Sequence, residues 1–198
     1  MPVEQQRHTD PRVIKTKKRL RQAYIASLSG DEKQLSVAHI TALAGVTRGT
    51  FYQHYADKAE FFAAVLVDTA ADFMHHCVLT DEANVTPHMN LQAALAYARN
   101  AQNGFAVLFQ NDGDAFIKAL HTELTRALVA YAKTNAEQYT GILQLADIID
   151  LAAMLDVAII RRWSLAENDW TAEYVQLLIQ QLNTFAPELH LHLQSFYR

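Results

Sequence analysis

Cysteine, proline, glycine and long apolar runs are all scarce in this chain of 198 residues, and each scarcity closes off a class of protein. The single cysteine, Cys77, has no partner in the chain for a disulfide and fits a reducing compartment. Four prolines and six glycines leave few turn-formers, whereas Ala and Leu abound, so helix is favoured over strand. No run of about 18 apolar residues exists to span a bilayer, and residues 1–30 lack a secretory apolar core. A cytoplasmic location without membrane association is therefore expected.

Catalytic signatures are missing as well. There is no P-loop, no G-x-S-x-G elbow and no Gly-rich dinucleotide turn. Two histidine pairs, His75/His76 and His190/His192, invite a metal, but adjacent and i,i+2 positions project differently from a helix and make no i,i+4 chelate. Asp147 and Asp150 lie one helical turn apart and read as helix-start or solvent-facing charges, not as a catalytic dyad. No catalytic residue, metal or cofactor is expected, and the chain is not read as an enzyme.

What is present is apolar and unevenly charged. At 51% hydrophobic the chain can bury a core in one or two domains. Residues 1–60 carry ten Lys and Arg against six Asp and Glu, a net of +4; the remainder has seven against fifteen, a net of −8. A polyanionic partner responds to the local field and not to the chain total of −4, so the basic N-terminal part is a candidate nucleic-acid surface.

Residues 36–61, SVAHITALAGVTRGTFYQHYADKAEF, give that surface a shape. Ser36 suits an N-cap, and Val37, Ile40, Leu43 and Ala44 follow at helical spacing. Gly45 stands where the helix must stop and the chain turn, Val46 can plug the angle, and Thr47 can cap a second, short helix through about Tyr55. Asp57 then opens a third helix with Lys58 in its first turn. Arg48, Gly49, Thr50, Tyr52, Gln53 and His54 are small, hydrogen-bonding or cationic, as a surface against phosphates and base edges requires. The pattern is a helix-turn-helix.

The run AGVTRGTFYQHYADKAEF resembles the N-terminal signature of TetR-type transcriptional regulators almost position for position, and DPRVIKTKKRLRQAYIASL resembles that family's first helix. The resemblance covers about residues 10–77 and combines a Gly turn, a Thr-x-Gly-Thr helix start, Phe-Tyr and a spaced Lys. Beyond it the similarity lies only in length and helical texture. On the residues themselves, Ser36, Thr47, Arg48, Gly49, Thr50, Tyr52, Gln53, His54 and Lys58 are the expected DNA-contact set. Arg48 is placed for a base edge, Thr47, Tyr52, His54 and Lys58 for the backbone, and Gly49 for close approach.

The rest of the chain reads as further helices with no convincing strand, about nine helices in all. An all-α fold is expected, with a helix-turn-helix head over residues 10–56 and a helical domain over residues 57–198. The first helix starts at Asp10-Pro11 and ends near Ser29-Gly30; the helix of residues 57–77 is long enough to bridge the two domains. Residues 80–87 read as a polar loop, with helices at about 88–101, 103–109, 114–134, 143–166 and 171–185. Apolar residues occupy more than one face of the segment 142–163, and Val175 to Phe185 carry a similar stripe. Leu155, Ile159, Val175, Leu178, Ile179 and Leu182 are therefore candidate dimer contacts. A lone helix-turn-helix touches too few base pairs to specify a site, which paired half-sites remedy, and TetR relatives usually dimerise through their last two long helices. Phe73, Tyr97, Phe105, Phe109, Phe116, His121, Tyr131 and Trp163 are candidate pocket residues, and the resemblance implies a small-molecule effector there. The function expected is a ligand-responsive regulator, a repressor holding a palindromic operator in double-stranded DNA as a homodimer. The alternative is an all-helical small-molecule-binding or protein-interaction module that no longer binds DNA.

Overall fold

The computed structural model describes residues 10–29, 35–80, 86–135, 144–165, 169–184 and 193–198. Residues 81–85 of the expected loop, the break expected after residue 135, the helix end at Phe185 and the His190/His192 pair lie outside the described residues. Among the described residues the chain forms nine α-helices and one small sheet. These are α1 Pro11–Ser29, α2 Val37–Ala44, α3 Arg48–Tyr52, α4 Lys58–Cys77, strands β1 Val78–Thr80 and β2 Pro87–Met89, then α5 Leu91–Arg99, α6 Phe105–Asn111, α7 Gly113–Asn135, α8 Leu145–Ser164 and α9 Ala172–Leu182. Short 3-10 turns occupy Ala101–Asn103 and Leu193–Phe196. None of the described helices is long and apolar enough to cross a membrane.

The chain divides into two compact units, Met1–Leu66 and Val67–Arg198, so the division falls within α4. In the first unit, α1 starts where Asp10 accepts from the Arg12 amide at 2.8 Å, ahead of Pro11, whose missing N–H costs nothing in a first turn. Leu20, Tyr24 and Leu28 recur along its buried side. They meet an aromatic cluster: Phe61 lies 5.2 Å from Phe51, 5.0 Å from Tyr55 and 5.8 Å from Tyr24 between ring centroids, and Tyr24 stacks on Phe62 at 4.5 Å. Rings in such edge and offset contacts add about 0.5–1.5 kcal/mol per pair beyond the area they bury. The first turns of α4 thus belong to the head's core, which is why the division lies some residues inside that helix.

In the second unit α8 is central, packing on α5, α6, α7 and α9. Its buried side carries Ile149, Ala153, Asp156, Val157, Ile160 and Trp163, the three- and four-residue spacing of one helical face. Two sequence expectations are corrected here. A sheet exists: β1 and β2 pair antiparallel, Val78 opposite Met89 and Thr80 opposite Pro87. Strands of three residues are too short to display a two-residue period, so no pattern announced them. The helix expected from about residue 88 begins instead at Leu91, capped by Asn90, whose side chain accepts from the Ala93 amide at 2.8 Å.

Candidate nucleic-acid interface

The α2–α3 corner is built by three residues with narrow demands. Ser36 lies in extended backbone and accepts from the His39 amide at 3.1 Å, which starts α2. Gly45 ends it at φ 62°, ψ 41°, a left-handed conformation that suits a residue without Cβ, and the Gly45 and Val46 amides donate to the Ala42 and Thr41 carbonyls. Thr47, again extended, accepts from the Thr50 amide at 3.0 Å and starts α3. Its hydroxyl also meets that of Thr50 at 2.9 Å, so two side chains of the expected contact set hold each other in place.

Phe51 decides which side of α3 faces out. It is fully buried and anchors the short helix to Phe61, so the other residues take their places relative to it. Thr47, Arg48, Gly49, Tyr52 and Gln53 are exposed, Tyr52 to 56%, while Thr50 and His54 are half-buried. Tyr52 stands edge-on to Phe51 at 5.3 Å, which braces its ring from below and leaves its outer face in water. A Cβ built on Gly49 would meet only the Thr47 hydroxyl oxygen at 3.6 Å, an ordinary contact. Nothing within the head requires a glycine there.

Helix α4 opens beside this surface with a reciprocal cap. Asp57 accepts from the Glu60 amide at 2.8 Å, and the Glu60 carboxylate accepts from the Ala56 amide at 2.6 Å. Lys58 is exposed between them, its ammonium 5.6 Å from the centroid of Phe62. Helix α1 adds Lys15, Lys18 and Arg19, all exposed, and Lys17, whose ammonium lies 5.7 Å from the Tyr55 ring. Arg19 has a further place that residue spacing did not reveal. Its guanidinium rests against the α2–α3 turn, Nη2 standing 2.6 Å from where a Cβ on Gly45 would be. Glu60 was within reach of sequence reasoning, since Asp57-x-x-Glu60 is a capping-box spacing; Arg19, 26 positions from Gly45, was not.

The expected pocket residues of the second unit fall in separate places. Phe73, Tyr97, Phe105, Phe109 and Phe116 form one aromatic cluster, with neighbouring centroids 4.9–6.0 Å apart. Tyr131 packs instead on Phe196, at 5.5 Å. Trp163 donates its indole N–H to the Leu95 carbonyl at 2.9 Å and carries the Arg99 guanidinium over its face at 3.3 Å. His121 joins α7 to α8 by meeting the Asp150 carboxylate at 3.1 Å, so Asp150 has a partner on another helix and Asp147 is exposed. Of the expected dimer contacts, Ile159, Val175 and Ile179 are buried within the chain itself, Leu178 and Leu182 half-buried and Leu155 exposed. The exposed apolar side is carried by Leu151 at 64%, Met154 and Leu155 on α8 and by Tyr174 and Leu177 on α9. Apolar residues on several faces of α8 told that it is covered on most sides, not which side its own chain covers.

The match to a family model falls in the first unit, whereas the match to a curated relative extends beyond it. Residues 33–65 match the family model described as bacterial regulatory proteins, tetR family. A relative among curated proteins is the uncharacterized HTH-type transcriptional regulator YxbF of Bacillus subtilis (strain 168), 27% identical over 109 residues. The match takes in 53% of this chain and 28% of that protein. No solved structure matches the chain.

Proposed function

We propose, from the premise that this chain belongs to the TetR family of bacterial regulatory proteins, that it is a DNA-binding transcriptional regulator whose first unit holds an operator. The observation that carries this reading is the outward set Thr47, Arg48, Gly49, Tyr52 and Gln53, fixed from behind by Phe51 and flanked by Lys58. Arg48 supplies a planar fork for a guanine edge; Gly49 lets backbone approach sugar and phosphate; the hydroxyls of Thr47 and Tyr52 and the Lys58 ammonium suit phosphate oxygens. The experiment is a selection of bound sites from random duplexes, followed by gel shifts at several salt concentrations. Two inverted half-sites and a steep salt dependence are expected. Absence of any enriched sequence, with no retention at low salt, would return the chain to the carrier or interaction class.

The finer reading is a repressor acting as a homodimer and released by a small molecule. Exposed Leu151, Met154 and Leu155 on α8, with Tyr174 and Leu177 on α9, support dimerisation, because apolar side chains grouped on two helices gain about 25 cal/mol per Å² when a second subunit covers them. The aromatic cluster around Phe105 supports an apolar effector, which must bind the non-DNA state more tightly to act at all. Linkage then requires operator DNA to weaken effector binding by the same factor. Calorimetric titration with and without saturating operator measures this; equal affinities would remove ligand release from the account.

A further inference from the structure

The second unit buries a carboxylate. Asp156 lies on the inner face of α8 and is 1% exposed. A carboxyl group taken out of water must find donors or surrender its charge. Both of its oxygens are met: Asn183, the C-cap of α9, donates Nδ2 to Oδ1 at 3.0 Å, and the Tyr197 hydroxyl donates to Oδ2. The same Asn183 nitrogen reaches the Ile179 carbonyl at 2.8 Å, so the amide is fixed on its own helix.

Neither donor is charged. Of the surrounding elements, β2 carries His88, whose buried Nδ1 has no hydrogen-bond partner, and α7 carries the exposed Asp114, Lys118 and Lys133 and the Glu123–Arg126 pair. From α7, His121 pairs with Asp150; from α5, Arg99 lies over Trp163; α6 has no charged residue. Arg161 and Arg162 of α8 and Glu173 of α9 are exposed, and the Arg198 charge acts on Tyr131. Among the described residues no cation is bonded to Asp156. Burial therefore acts unopposed by a cation and pushes the Asp156 carboxyl up to about 7, against partial lowering by its two hydrogen bonds. Burial beside Asp156 also pushes Tyr197 well above the usual phenol range, so the phenol keeps its proton.

Tyr197 belongs to a short buried segment that is also tied by Gln180, which donates Nε2 to the Tyr197 carbonyl at 3.5 Å, and by a side-chain hydrogen bond between Ser195 and Tyr131. Residues 193–198 make a single 3-10 turn and one bridge to Met89. The Arg198 amide donates to the Met89 carbonyl at 2.8 Å, and the Leu91 amide donates to the Arg198 carbonyl at 2.7 Å. Phe196 is fully buried against Tyr131. The hydroxyl of Tyr197 is thus the polar link from this segment to the central helix. We propose that Tyr197 and Asp156 make residues 193–198 a proton-operated latch, closed on α8 and β2 while Asp156 is protonated and weakened when Asp156 ionises. This does not depend on the DNA-binding reading.

The sign follows from linkage. With the latch open, Asp156 meets water and titrates as an ordinary carboxylate; closed, it titrates near 7. The closed state therefore holds an extra proton between those values, so closure is strongest below the ordinary carboxylate range and weakens as pH rises through it. Above about 7 both states are ionised and the dependence ends. Hydrogen exchange of the full chain, followed by mass spectrometry and corrected for the intrinsic pH dependence, tests this. Protection of the 193–198 peptide should fall at least about tenfold between about pH 5 and 7 and then level off, while α7 peptides show no such slope. Asp156→Asn should remove the slope and hold the low-pH protection throughout. Tyr197→Phe, which keeps the ring buried, should lower protection of the segment about tenfold at about pH 5 and leave α7 unchanged. A flat wild-type profile, a slope shared equally by α7, a slope surviving in Asp156→Asn, or full protection in Tyr197→Phe would each overturn the proposal. If the Asn variant does not fold, the wild-type profile and the Phe variant still decide it.

Discussion

The two units of this chain use the same aromatic chemistry in opposite directions. In the first, Phe51, Tyr55 and Phe61 turn inward so that Arg48, Gly49 and Tyr52 are held outward; the core exists behind the candidate site. In the second, Phe73, Phe105 and Phe116 are themselves the candidate site and are also the core. A surface site leaves a chemical trace in sequence, because small, cationic and hydrogen-bonding residues replace the apolar ones a packed helix would use. An apolar interior site leaves none. The side chains that would touch a ligand are the ones that would pack without it.

The largest expected effect falls on Phe61, at the centre of the head's aromatic core. If the head's core serves only to aim α3, Phe61→Ala should cost about 3–5 kcal/mol of head stability and take DNA binding with it. Chemical denaturation followed by exchange on each unit should then show the head melting early and Val67–Arg198 keeping its own transition. Coincident loss of both units would mean that they do not fold as separate cooperative bodies.

Gly49 sharpens the same contrast from outside. A Cβ there meets no more than the Thr47 hydroxyl and Gly49 is exposed, so Gly49→Leu is expected to leave the melting temperature within a few degrees of the parent. A glycine in a helix costs about 1 kcal/mol against alanine, so its presence without an internal reason points to an external one. The same variant should weaken operator binding by at least about 3 kcal/mol, on the order of a hundredfold or more. Normal binding by a folded Leu variant would end the close-approach argument. Arg48→Ala is expected to cost somewhat less, about 1–3 kcal/mol, and to relax preference at one position of each half-site; uniform weakening over all sequences would make it a phosphate clamp.

What could be read from the sequence follows the same division. Ser36, Gly45 and Thr47 were legible because each fills a backbone position that few residue types tolerate, and the structure puts all three in those positions. The helices of the second unit were legible as helices, because apolar spacing survives whatever they pack against. Partnerships across long separations were not. Nothing near Asp156 in sequence announces Tyr197, 41 positions away, or Asn183, and an acidic residue amid apolar ones reads as an exposed boundary. The buried placement of Ile159, Val175 and Ile179 was equally hidden, since periodicity gives faces but not the neighbours that cover them.

The smallest expected effect separates two roles of one lysine. Lys58 is exposed in the first turn of α4, where it suits a DNA phosphate, yet its ammonium also lies over Phe62, a ring stacked on Tyr24. A cation over an exposed ring is worth about 0.5–1 kcal/mol, similar to one screened phosphate contact, so loss of affinity alone cannot tell the two roles apart. Salt dependence can. Each phosphate neutralised contributes about 0.9 to the slope of log affinity against log salt, whereas an internal cation–ring contact contributes nothing to counterion release. Lys58→Met keeps an apolar stem over Phe62 and removes only the charge. It should weaken binding to specific and non-specific duplexes alike, lower the salt slope by about one unit, and leave the melt nearly unchanged. An unchanged slope with a lowered melting temperature would assign Lys58 to the aromatic core it covers and take it out of the interface.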